Sequence, residues 1–66
     1  MSQTKLINIA QVRQLTGIST ASIYRLMASG MFPNQVRLFG REVMWLEEEV
    51  NDWIEDRIIE AKRGGN

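Results

Sequence analysis

The stretch Asn8-Ile9-Ala10-Gln11-Val12-Arg13-Gln14-Leu15-Thr16-Gly17-Ile18-Ser19-Thr20-Ala21-Ser22-Ile23-Tyr24-Arg25-Leu26-Met27-Ala28-Ser29-Gly30 decides how this chain folds. Asn8 is a good N-cap, and Gln11 three positions on completes a capping-box pair. Ile7 before the cap and Val12 beyond it have the spacing of a hydrophobic staple. Ile9, Val12 and Leu15 fall on one helical face. Gly17 then supplies a left-handed stop. Ser19 is the next N-cap, and Ile18 with Ile23 repeats the staple. Ile23, Leu26 and Met27 form an apolar stripe. Gly30 ends the second helix, and Pro33 prevents its continuation. Two short helices joined by Gly17-Ile18-Ser19 read as a helix-turn-helix.

Downstream the period changes. Val36 and Leu38 alternate with Arg37, and Val43 and Trp45 alternate with Glu42 and Met44. Two short strands around Phe39-Gly40 predict a β-hairpin over residues 35–45. From Glu47 the helical period returns, with Val50, Trp53, Ile54, Arg57 and Ile58 on one face. Glu47, Glu48 and Glu49 start this helix and Lys62 and Arg63 close it, as the helix dipole favours. The expected architecture is mainly α with a small β-hairpin. It is a winged helix-turn-helix: helix-turn-helix, two-stranded wing, C-terminal helix. A single domain over 1–66 is expected, ordered over about 6–62, with residues 1–5 frayed.

Composition narrows the function. The chain has 66 residues, 44% hydrophobic and 24% charged, with no cysteine and no histidine. A chain this short buries only about 60% of its unfolded surface, so one small core is all it can build. Disulfide frameworks, zinc fingers, thiol nucleophiles and histidine bases are excluded. The longest apolar run, Val43-Met44-Trp45-Leu46, is far short of the roughly 20 residues of a membrane helix. No signal-peptide segment follows Met1-Ser2-Gln3-Thr4-Lys5. The expectation is a cytoplasmic protein without membrane contact, without cofactor and without bound metal. No enzyme is expected, because nothing places two carboxylates in convergence and there is little room for a pocket.

The net charge of zero hides an ordered split. Residues 1–41 hold Lys5, Arg13, Arg25, Arg37 and Arg41 and no acid. Residues 42–66 hold all eight acids against Arg57, Lys62 and Arg63. A basic surface for phosphates followed by an acidic helix fits this order.

A hairpin after a helix-turn-helix is a wing, and in that arrangement the second helix enters the major groove. With Ile23, Leu26 and Met27 turned inward, Ala21, Arg25 and Ala28 point outward at about 100° per residue. Tyr24, Ser22 and Ser29 flank them. Small side chains let a helix approach base edges, and Arg25 can grip a phosphate or pair with guanine. Tyr24 can donate to a phosphate. Thr20, Ala21, Ser22, Tyr24 and Arg25 are therefore candidate DNA-contacting residues on the reading helix, about 19–29. Arg37 and Arg41 are the candidates on the wing, where they can meet adjacent backbone or the minor groove. Arg13 is balanced between a backbone contact and plain solvent. Phe39 is expected to fold back onto the core. Trp45 and Trp53 are expected in the core.

At these residues the chain resembles the AlpA family of phage-related transcriptional regulators, a branch of the small MerR-like winged-helix proteins that includes phage excisionases. The resemblance spans about residues 6–58. Its carriers are Leu15-Thr16-Gly17-Ile18-Ser19, Ser22-Ile23-Tyr24-Arg25-Leu26 and Gly30-Met31-Phe32-Pro33. They continue with Val36-Arg37-Leu38, Gly40-Arg41, Val43-Met44-Trp45, and Glu49-Val50 with Trp53. It implies prophage- or mobile-element-associated DNA binding. Thr20 departs from the basic or longer residue frequent there, and Gln35 stands where a second proline is common.

The leading expectation is a sequence-specific DNA-binding transcriptional regulator acting on double-stranded DNA. One alternative is an excisionase-like architectural factor that bends attachment-site DNA and recruits an integrase. Another is a protein-interaction module using the acidic helix, with RNA polymerase or a second copy as partner. A homodimer on DNA fits the small size, since one such unit covers perhaps one half-site.

Overall fold

The computed structural model describes residues 5–38, 40 and 42–64. The first turn is built as the residue types require. Strand β1 (Leu6–Ile7) runs into helix α1 (Ile9–Thr16). The Gln11 amide donates to Asn8 Oδ1 at 2.9 Å, and the Asn8 amide donates to Gln11 Oε1 at 2.9 Å, closing the capping box. Two of the amides left over at a helix start are thereby satisfied. Gly17 ends α1 at φ 75°, with its amide donating to the Arg13 carbonyl at 2.8 Å. Thr16 locks the turn from inside: its hydroxyl donates to Val12 O at 2.8 Å and accepts from the Ile18 amide at 3.2 Å.

Helix α2 (Thr20–Ala28) starts on Ser19, whose hydroxyl oxygen accepts from the Ser22 amide at 3.3 Å. Its end is a Schellman motif. Gly30 takes φ 74°, its amide donates to Met27 O, and the Met31 amide reaches back to Leu26 O at 2.8 Å. A side chain at Gly30 would meet no atom within 4 Å, so the positive φ alone selects glycine.

The wing differs from a full hairpin. Val36 and Met44 face each other in a lone antiparallel bridge, with amide–carbonyl distances of 2.7 and 2.9 Å. Among the described residues between these two, no further ladder bond is formed, and Gly40 (φ 85°) sits midway between the bridge partners. Phe39 and Arg41 lie outside the described residues. The strand that follows, β2 (Trp45–Leu46), pairs instead with β1, in the register Leu6↔Leu46 and Ile7↔Trp45. The pairing of the 44–46 segment is thus divided between the wing and the N-terminal strand. Lys5, expected in a frayed tail, is tied in: its carbonyl accepts from the Glu47 amide at 2.9 Å, and its ammonium lies 3.8 Å from the Glu47 carboxylate.

Helix α3 (Glu47–Arg63) starts directly from β2 without a side-chain cap. Glu47, Glu48 and Glu49 in its first turn and Lys62 and Arg63 in its last complement the dipole. The core is Ile7, Val12, Ile23, Phe32, Trp45 and Val50, with Ile9, Ile18, Leu26, Met27, Val43, Trp53 and Ile54 packed around it. Two expected core positions are not there. Leu15 is 43% exposed, because α1 meets β1 and α3 along the Ile9–Val12 side and its other flank faces out. Ile58 is 48% exposed, because α3 runs on past the body. Trp45 is fully buried, whereas Trp53 is half-buried and anchored by its indole N–H to Met31 O at 2.7 Å. Among the described residues, no helix is long and apolar enough to cross a membrane.

Candidate nucleic-acid interface

Helix α2 is fixed at both ends by its caps and inside by Ile23, so its outward face is held as a rigid plate. Ala21, Arg25 and Ala28, spaced four and three apart, are all exposed on that face. The Arg25 guanidinium has no hydrogen bond or ion pair among the described residues. A cation without a partner inside the protein keeps its donors available for a phosphate or a base edge.

Tyr24 is 42% exposed and turned toward the wing: its ring meets Trp45 edge-on, with centroids 6.5 Å apart and planes at 62°. The buried Trp45 indole donates to Pro33 O at 3.2 Å. Trp45 therefore connects α2 to the segment that leads into the wing, and this connection sets where the wing stands relative to α2. Ser22 and Thr20 are half-buried. Ser22 is also engaged locally, since its hydroxyl accepts from the Ser19 hydroxyl at 3.1 Å. Of the expected contact residues on α2, the structure brings Ala21, Arg25 and the edge of Tyr24 to the surface and holds Thr20 and Ser22 further back.

Arg37 is exposed on the wing, where its guanidinium donates to the Gly40 carbonyl at 3.5 Å, a long contact that leaves most of its donors open. Arg41 is not among the described residues. Arg13 lies in an open groove over the helix-helix turn, lined by Ala10, Arg13, Gln14, Gly17, Ile18 and Ser19. Gln14 was not singled out from the sequence; its signal is the spacing of three and four from Gln11 and Ala10, on the side away from Val12. The acids of the described residues, from Glu42 on, sit after the wing tip and along α3. The helix-turn-helix itself carries only cations.

The family model described as Prophage CP4-57 regulatory protein (AlpA) matches residues 5–58, which takes in every element above except the end of α3. The chain belongs to the AlpA family. Its family is one of phage regulatory proteins, as the resemblance seen in the sequence implies. Within that setting the chain is also similar to "Uncharacterized protein ORF88" of Enterobacteria phage P4, at 41% identity over 64 residues, covering 97% of this chain and 73% of that protein. No solved structure matches it. The helix-turn-helix precedes the wing, and the long helix follows it.

Proposed function

We propose that this AlpA-family chain is a sequence-specific DNA-binding transcriptional regulator and a single DNA-binding domain. Helix α2 lies in the major groove, and the wing over 35–45 rests on adjacent backbone or in the minor groove. The observation that carries the reading is the exposed Ala21–Arg25–Ala28 face, its guanidinium without a partner among the described residues, on a doubly capped helix in an acid-free part of the chain. Two alanines leave room for the helix to approach base edges, and Arg25 between them supplies the specific donor pair. Arg13 at the turn and Arg37 on the wing bracket this face with charges suited to phosphate. Ser22 contributes mainly by holding the helix start.

Fluorescence anisotropy on a labelled duplex from the chain's own upstream region, against a scrambled duplex, tests this at about 50 and about 200 mM salt. Tight, salt-sensitive binding that prefers the upstream duplex is expected; if a random-pool selection also enriches no sequence, the reading fails.

A further inference from the structure

The last nine residues of α3, Glu55 to Arg63, are exposed all round and extend about 13 Å past the last packed turn. A solvated helical extension is normally polar throughout. This one carries Ile58 at 48% and Ile59 at 56% exposure, side by side. Isoleucine is a weaker helix former than alanine or leucine, so neither residue is placed there to support an isolated helix.

The pattern around them is self-complementary. Glu55, Ile58, Ile59 and Lys62 are separated by three, four and seven positions and form one patch. At about 100° per residue its centre lies well away from the Val50–Trp53–Ile54 stripe that faces the core. A two-fold axis through the middle of this patch exchanges Glu55 with Lys62 and Ile58 with Ile59. Two copies of α3 laid antiparallel therefore set each acid against a base and cover the isoleucines with one another. A parallel pair would oppose Glu55 to Glu55 and Lys62 to Lys62.

We infer that the exposed end of α3 is a homodimerisation surface that pairs antiparallel with a second copy of this chain. The interface is isologous, as two-fold dimers require. Its apolar patch is small beside the roughly 800 Å² per partner of a standard interface, so the dimer is weak in free solution. The inference does not depend on the DNA reading, since it uses none of the residues assigned to DNA contact.

Sedimentation equilibrium of the whole chain from about 20 µM to about 1 mM is the test. The weight-average mass should rise from 7.6 kDa toward the dimer. Glu55→Lys and Lys62→Glu should each weaken association about tenfold by setting like charges together, and the double variant should return to within about threefold of the starting chain. Ile58→Asn should weaken it too while circular dichroism shows an intact helix. A mass fixed at 7.6 kDa throughout the range overturns the proposal, as does a double variant no better than the single ones.

Discussion

Arg25→Ala separates the two ways in which the exposed arginine can hold DNA. The side chain is solvent-exposed and makes no ion pair among the described residues, and alanine is the better helix former. The folded state should therefore be untouched, with any change in Tm within a few degrees. Affinity is another matter. A bidentate arginine–guanine pair is worth about 1–3 kcal/mol, which is roughly 5- to 150-fold in Kd. If Arg25 reads a base, the loss should fall on the upstream duplex and leave the scrambled duplex nearly unchanged. The slope of log K against log salt should then hardly move. If Arg25 grips a phosphate instead, both duplexes should weaken together and the slope should drop by about 0.9. Anisotropy titrations of both duplexes at four or so salt concentrations distinguish the two. Unchanged affinity and unchanged slope on every duplex would refute the placement of α2 in the groove, because Arg25 is the one cation on its outward face.

Three further substitutions probe the frame that holds this face. Gly17→Ala puts a side chain at φ 75° in open space, so its cost is backbone strain alone, about 1–2 kcal/mol, and thermal melts should show a fall of roughly 4–16 °C. Gln35→Met removes a buried Oε1 that has no hydrogen-bond partner among the described residues; a gain of about 1 kcal/mol in urea unfolding is expected, and a loss would mean that this oxygen is satisfied in solution. Trp45→Ala empties a fully buried site and cuts the connection between Tyr24 and the wing, at a cost of about 3–5 kcal/mol; in a chain this small the outcome should be an unfolded far-ultraviolet spectrum, and a native one would contradict the core described above.

Local chemistry makes most of the helical frame legible in the sequence. Asn8 with Gln11, Ser19, and the glycines at 17 and 30 each act on atoms within a few residues of themselves, so their spacing alone announces what they do. The order of charges likewise survives in three dimensions. What escaped depends on partners far along the chain. Strand β1 has only two residues and exists because Trp45 and Leu46, nearly forty positions later, complete it. Alternation over 35–45 reports which residues share a face and not how many ladder bonds close, and among the described residues the wing closes through the Val36–Met44 bridge while Trp45 and Leu46 pair with β1. Leu15 and Ile58 fit the helical period, but period says which face a residue shares and not whether anything covers it. The exposure of Ala21 and Arg25 follows from their spacing opposite Ile23; the retreat of Ser22 into its own cap contact and the turn of Tyr24 toward Trp45 have no signature in spacing.

The antiparallel pairing of β1 with β2 also bears on when the protein becomes competent during synthesis. Residues 9–28, which carry both helices of the helix-turn-helix, leave the ribosome early, and neither helix is long enough to persist alone in water. Their shared core waits for Trp45 and Val50, and the N-terminal strand has no neighbour until residues 45 and 46 arrive. A nascent chain stopped between Ala28 and Val50 would hold all of α2 and yet lack the core that orders it. Incomplete translation products thus lack the packed core and should be open to proteolysis.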